Sequence, residues 1–141
     1  MLSHEYFRAA HNTVFTWYNA RMFENAKTTI YYYAFSERKN PVREFLDSLE
    51  ETQQAKILRL FQSIEEYGLQ AAAPHLKKVA GTPLWEMRIL GKDNIRIFYV
   101  VPKKNAVLVL HGFIKKKQKT PRGEIDLALQ RYDRWKRGLT G

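Results

Sequence analysis

Residues 84–121 read LWEMRILGKDNIRIFYVVPKKNAVLVLHGFIKKKQKTP, and this stretch decides the fold. It contains three runs rich in apolar, β-branched and aromatic residues, at 84–90, 95–101 and 106–114, a composition typical of β-strands. The segments GKDN and PKKN separate the runs, and both are rich in turn-forming residues. Because short turns join adjacent antiparallel strands, the stretch predicts an antiparallel meander.

The residues before the meander predict a further strand and a helical region. The segment TTIYYYAF at 28–35 has the composition of a strand. Asn40-Pro41 predicts a helix start, because asparagine caps free N–H groups and proline fits the first helical turn. Glu51-Thr52 either separates two helices of a hairpin or marks a bend, and Gly68 stands where a left-handed C-cap is expected. Apolar residues at helical spacing form the two stripes Val42, Phe45, Leu46, Leu49 and Ile57, Leu60, Phe61, Ile64, Tyr67.

A last helix is predicted after Thr120-Pro121, where apolar residues recur at helical spacing over residues 125–135. The elements together predict an α+β fold, with an N-terminal helical hairpin and a C-terminal helix packed on a small, mainly antiparallel sheet. Residues 28–141 are expected to form one domain, since no repeat or linker interrupts them. Residues 1–27 are expected to be a helical extension, because their aromatic and apolar residues fall near a helical period.

The charge of the chain is concentrated in its last third. The 141 residues include 24 Lys and Arg against 14 Asp and Glu, a net charge of +10. Residues 1–91 carry a net charge of +1, and residues 92–141 carry +9. This asymmetry favours a polyanionic partner, which lysine and arginine bind with release of counterions. The alternative is a solvated basic surface that keeps the protein soluble.

The composition excludes several classes of protein. Without cysteine, the chain has no disulfide framework, thiolate zinc site or cysteine nucleophile. The four histidines have no partner at ligand spacing and no carboxylates cluster, so we expect neither a metal nor a cofactor. The apolar runs have the length of strands and are too short to span a bilayer. We therefore expect a cytoplasmic protein without a membrane partner.

Alternation along the meander strands places charged side chains on one face. Glu86 and Arg88 alternate with apolar residues, and Arg96 shares a face with Phe98 on the next strand. Arg88 and Arg96 can then be neighbours, an arrangement that costs free energy unless an anion or an acid such as Glu86 lies between them. Two interpretations remain open, a cross-strand network that holds the sheet together and a phosphate site.

The meander and the segment after it resemble the phage-derived HigB branch of the RelE toxin superfamily. The resemblance rests on the series WE-x-R, R-x-x-Y and HGF-x-KK-x-x-KTP, and it extends over about residues 28–137. It implies a RelE-like fold and the toxin of a type II toxin–antitoxin system, an endoribonuclease that cleaves mRNA in the ribosomal A site. In this family the ribose 2′-hydroxyl attacks the adjacent phosphate without a metal. The implied partners are the mRNA and a cognate antitoxin of the helix-turn-helix, HigA-like type, through which alone the complex would bind promoter DNA.

The resemblance also implies roles for individual residues. Arg96 matches the phosphate-contacting strand arginine of the superfamily, Lys116 falls where RelE has a second catalytic arginine, and Arg88 would extend the same patch. The strand lysines and the C-terminal tyrosine of RelE have no counterpart here. The general base is therefore open among Glu86, His111 and a lysine whose pKa neighbouring cations lower. The expected RNA-binding residues are Lys103, Lys104, Lys115, Lys117, Lys119 and Arg122.

Two other functions compete with the nuclease. One is a non-catalytic inhibitor on the same scaffold, like the ParE gyrase poisons, and the other is a basic nucleic-acid-binding module. The lysines at 115–119 and the arginine pair favour the enzyme, since an inhibitor of a protein target has less need of them. The meander aromatics alternate with apolar residues as core residues do, which gives the binding module little support.

Overall fold

The computed structural model describes residues 27–89, 91–92 and 94–138. The elements in these ranges are β1 (Thr29–Tyr32), α1 (Pro41–Asp47), α2 (Glu51–Tyr67), a 3-10 helix (Leu69–His75), β2 (Leu76–Lys78), β3 (Trp85–Ile89), β4 (Ile95–Val100), β5 (Ala106–Ile114) and α3 (Arg122–Lys136). The predicted N-terminal helical extension falls almost wholly on residues 1–26, which lie outside the described residues. Its separation from the domain at residue 28 stays a prediction.

The strands form one five-stranded sheet in the order β1-β5-β4-β3-β2. β2, β3, β4 and β5 pair antiparallel with their neighbours, and β1 pairs parallel with β5. Asn94 and Asn105 adopt φ angles of 48° and 61° in the two meander turns, a left-handed conformation that asparagine tolerates. The predicted α+β class and the mainly antiparallel sheet are confirmed.

The predicted helical hairpin is formed by α1 and α2, which are two separate helices. Asn40 caps α1, since its side-chain oxygen accepts a hydrogen bond from the backbone N–H of Arg43 at 3.0 Å. Gln54 of α2 donates from its side-chain amide to the carbonyl of Leu49 at 2.9 Å and to that of Asp47 at 3.2 Å. These bonds satisfy carbonyls at and after the end of α1 and fasten the hairpin.

Helices cover both faces of the sheet. On one face, Gly112 of β5 lies so close to Phe45 of α1 that an added Cβ would meet the Phe45 ring at 2.5 Å. The preceding residue, His111, points to the opposite face and contacts Glu124 of α3. Most of the apolar core lies in this sandwich and includes Ile30, Ile57, Phe61, Ile64, Met87, Ile97, Phe98, Leu108, Leu110 and Ala128.

Several local predictions were wrong. β1 ends at Tyr32 and does not reach residue 35, because the N–H of Phe35 bonds to the carbonyl of Lys39 and the chain turns back. Gly68 has φ 88° and ψ 174°, a positive φ with an extended ψ, and so it is not a left-handed cap. Tyr67, assigned to an apolar stripe, is exposed. The 3-10 helix and β2 lie between Gly68 and the meander, in a segment for which the sequence predicted no element.

Candidate active site

The strand register aligns charged and aromatic side chains on the face that carries α3. Lys77 of β2 pairs with Glu86 of β3, Glu86 pairs with Phe98 of β4, and Phe98 pairs with His111 of β5. Directly opposed residues project to the same side of a sheet, so this row crosses four strands on one face. A second row, displaced by two residues, consists of Arg88, Arg96 and Phe113. The predicted opposition of Arg88 and Arg96 is confirmed.

Glu86 lies between the two arginines. Its Oε2 is 2.8 Å from Nε of Arg96 and 3.7 Å from Nε of Arg88. The side chains of Glu86 and Arg96 are only 9% and 11% exposed, whereas that of Arg88 is 45% exposed. The Arg96 contact is an ion pair and not a directed hydrogen bond, because Nε of Arg96 has the distance but not the geometry of a donor. The cluster is thus a buried ion pair with one cation at its exposed edge.

The histidine of the first row is held by two residues of α3. Nε2 of His111 lies 2.6 Å from Oε1 of Glu124, and Nδ1 lies 3.3 Å from Nη1 of Arg131. Arg131 also donates from Nη1 to the carbonyl of Leu110 at 2.8 Å. A guanidinium can only donate hydrogen bonds, so Nδ1 of His111 accepts and the ring proton is on Nε2, which donates to Glu124. Both ring nitrogens are therefore occupied.

The surroundings of His111 keep its ring neutral. Burial lowers the pKa of His111 below its ordinary value of 6.5; the hydrogen bond to Glu124 raises it and the charge of Arg131 lowers it, with burial dominant. A second ring proton would lie on Nδ1 and point at the N–H of Arg131. His111, which the sequence suggested as a proton carrier, thus has both ring nitrogens in hydrogen bonds in this arrangement.

The lysine-rich segment after β5 lies at the Arg96 end of the sheet. The backbone N–H of Lys115 donates to the carbonyl of Asn94, which continues the β4–β5 pairing by one step. Lys116 follows three residues after Phe113, the partner of Arg96, a separation of roughly 10 Å along an extended chain. The exposed basic side chains here are those of Lys116, Lys117, Lys119 and Arg122, the last paired with Asp126 at 3.0 Å.

Lys103 and Lys104 lie at the other end of the sheet, in the β4–β5 turn. The length of β5, Ala106–Ile114, separates this turn from the lysine-rich segment, a distance of about 30 Å. The predicted RNA-binding residues therefore form two groups, and only the group at 115–122 adjoins the arginine pair.

Sequence reasoning missed three residues of this face, namely Lys77, Glu124 and Arg131. Lys77 belongs to a strand of three residues, which is too short to display an alternating pattern. Glu124, Ala128 and Arg131 follow helical spacing and face the sheet, with Ala128 fully buried between the two polar side chains. The helical spacing can be recognised in the sequence, but the sequence does not reveal which strand residue lies opposite the helix.

The described residues contain no group of three or more His, Cys, Asp and Glu side chains that could hold a metal ion. In the same part of the chain, no helix has the length and apolarity needed to cross a membrane. The face instead offers guanidinium and ammonium groups, one carboxylate bound to arginines and one bound to a neutral imidazole. Such a set can bind a phosphate and transfer a proton.

Comparison with known proteins identifies a family that matches this chain. The family model described as phage-derived protein Gp49-like (DUF891) matches residues 44–133. The match contains the last four residues of α1, the whole of α2, the whole meander and most of α3, and so it contains every residue of the face described above. No curated protein matches the chain.

Proposed function

The chain belongs to the phage-derived Gp49-like family, a family associated with RelE- and HigB-like toxins of toxin–antitoxin systems, and from this premise we propose that it is a ribosome-dependent mRNA endonuclease. In the proposed reaction the ribose 2′-hydroxyl attacks the adjacent phosphate in the ribosomal A site. The products are a 2′,3′-cyclic phosphate and a free 5′-hydroxyl. Translation stops because the message is cut.

The observation that carries this proposal is the pairing of Arg88 with Arg96 on a face that also holds acid–base groups. Negative charge accumulates on the phosphate oxygens as the new P–O bond forms, and fixed cations stabilise that charge. Arg96 is held in place by Glu86 and by the sheet, so little reorganisation is needed when the charge develops. Lys116 and its neighbours add mobile cations that can reach the same nucleotide or the adjoining RNA backbone.

The charge distribution also supports an antitoxin partner. The site lies largely in the part of the chain that carries a net charge of +9, so a protein that covers it needs acidic groups. We propose a helix-turn-helix antitoxin of the HigA-like type with such a segment, through which the pair would bind its own promoter DNA.

A reconstituted translation reaction with a defined mRNA tests the nuclease. We expect cleavage that yields 2′,3′-cyclic phosphate ends and requires ribosomes. Arg96→Ala and Lys116→Ala should each lower the rate by a factor of about 100, because each removes a cation from the transition state. Lys104→Ala, at the far end of the sheet, should have a much smaller effect. Equal cleavage of free RNA would contradict the A-site proposal, and full activity of both variants would contradict the site.

A second function, inhibition of a protein target in the manner of the ParE gyrase poisons, is favoured by one observation. Glu86 already pairs with both arginines, and such a network can serve the sheet alone. Induced expression distinguishes the two functions. Arrested translation with cut mRNA supports the nuclease, whereas DNA damage with intact translation supports the gyrase-type inhibitor.

A further inference from the structure

The two carboxylates of the site have different surroundings. Glu86 is buried and forms ion pairs with two guanidinium groups, its Oε2 lying 2.8 Å from Nε of Arg96 and 3.7 Å from Nε of Arg88. Glu124 is 32% exposed, and the donor on its Oε1 is the ring N–H of a neutral histidine. Its Oε2 makes no hydrogen bond to the residues that the structure describes. Among the described residues, Oε2 of Glu124 therefore has no hydrogen-bond donor, while the contact between Oε1 and His111 holds the carboxylate in position.

His111 is unable to act as the base in this arrangement. The lone pair of Nδ1 accepts from Arg131, and Nε2 carries the proton that binds Glu124. A substrate hydroxyl would have to displace one of these partners before it could give its proton to the ring. His111 can instead orient the Glu124 carboxylate, as residues hydrogen-bonded to metal ligands orient those ligands in metal sites.

Glu124 also lies within reach of the phosphate that Arg96 would bind. His111 is two residues from Phe113 on β5, and Phe113 is the direct partner of Arg96. The Cα atoms of His111 and Arg96 are thus diagonal neighbours, about 7–8 Å apart on one face. The carboxylate of Glu124 begins 2.6 Å from the His111 ring, so one nucleotide can extend between the two groups.

We propose that Glu124 is the general base of the cleavage reaction and that His111 and Arg131 are its positioning residues, an inference that rests on the proposed nuclease function. Oε2 of Glu124 takes the proton of the ribose 2′-hydroxyl as the 2′-oxygen bonds to phosphorus. The bond between phosphorus and the 5′-oxygen breaks, and the leaving oxygen keeps the electron pair and takes a proton from water. Glu124 then returns its proton to water, so that the reaction is balanced.

Single-turnover cleavage of mRNA on stalled ribosomes by the full chain tests the assignment. Glu124→Gln should lower the rate constant by a factor of about 100 or more while ribosome binding is unchanged. Asp126→Asn is the matched control, since Asp126 is a carboxylate on the same helix turn that pairs with Arg122 at the surface. It should retain the wild-type rate.

Two further measurements distinguish a base from a structural carboxylate. Formate should partly restore cleavage by Glu124→Ala and should not restore cleavage by Arg96→Ala, because a small carboxylate replaces a base but not a cation. Nitrogen NMR of the His111 ring in the full chain should give the neutral form with the proton on Nε2 at neutral pH. That measurement needs no activity.

The outcomes separate the two proposals. If the wild type cleaves and Glu124→Gln cleaves equally fast, the base assignment is wrong and the nuclease stands. If Asp126→Asn and Glu124→Gln lose activity alike, the loss comes from the helix and the assignment is likewise wrong. If the wild type never cleaves ribosome-bound mRNA, the nuclease proposal is wrong, and the assignment of Glu124 as the general base is wrong with it. A charged His111 ring, or one protonated on Nδ1, would overturn the positioning role.

Discussion

Replacement of Glu86 by glutamine tests the electrostatic organisation of the site most directly. Glutamine has nearly the same shape, but it removes the negative charge that lies 2.8 Å from Nε of Arg96. The variant leaves Arg96 buried without a counterion and directly opposed to Arg88 across the strands. We expect the folded protein to be substantially less stable.

The expected loss can be worked from the distances. Two unit charges about 4 Å apart interact by about 4 kcal/mol at an effective dielectric constant of about 20. Removing one partner of a buried ion pair costs about 3–5 kcal/mol in measured cases, because the remaining charge stays buried. The Arg88 contact is longer and half exposed, so it adds less than about 1 kcal/mol. The free energy of unfolding should therefore fall by about 3 kcal/mol.

Urea unfolding of the wild type and the variant measures this loss, and the chain supplies a matched control. Lys27 and Glu66 form an ion pair of 2.7 Å, but the Glu66 side chain is 53% exposed. Glu66→Gln should cost at most about 1 kcal/mol. In an Arg96→Met background, Glu86→Gln should lower the free energy of unfolding far less than it does in the wild type, because the Arg96 charge that would lose its counterion is absent. Equal, small losses for Glu86→Gln and Glu66→Gln would refute the claim that Glu86 is a buried counterion.

Three further predictions concern the fold and the histidine. Gly112→Ala should lower the free energy of unfolding by about 1–3 kcal/mol in urea titrations, because the new methyl group meets the ring of Phe45, and Phe45→Leu should restore part of the loss. Asn40→Ala should lower the same free energy by about 1 kcal/mol through loss of the α1 cap, while Asn40→Ser should retain most of it. The pKa of His111 is lower in the folded chain than its ordinary value of 6.5. Between the folded pKa and 6.5, the unfolded chain therefore binds more protons than the folded chain does. The free energy of unfolding should then decrease as the pH falls below about 6.5 and through the folded pKa. Unfolding at about pH 7.5 and about pH 5.5 should show a smaller pH effect in His111→Gln than in the wild type, and an equal effect would contradict the lowered pKa.

Local pattern was sufficient to predict the elements that carry the arginines. Alternation along 84–90 and 95–101 placed Arg88 and Arg96 on one face, and the short turn between the runs fixed their register closely enough to make them neighbours. The same reasoning located the start of α1 at Asn40-Pro41, since capping is a property of a few consecutive residues.

Long-range pairing was beyond the reach of that reasoning. The strand at 29–32 was recognisable from its composition, but nothing in it specifies β5 as a parallel neighbour. The contact between His111 and Glu124 joins a strand to a helix that begins after a loop, so periodicity predicts which face each residue occupies but not which residues meet. For this reason the sequence suggested Glu86, His111 or a lysine as the base and did not identify Glu124.

The arrangement of charges also gives a physical reason why a nuclease of this kind would depend on the ribosome. With Glu86 between them, the two arginines present a net charge of +1 and not +2 to an incoming phosphate. The cations next to them lie on an exposed segment after β5, where binding RNA costs conformational entropy of long side chains. Free RNA must bind in spite of this reduced charge and this entropy cost, whereas mRNA in the ribosomal A site is already held in position. Under the proposed function, a site with weak intrinsic affinity would gain its substrate through positioning by the ribosome, and cleavage of free RNA would be slow.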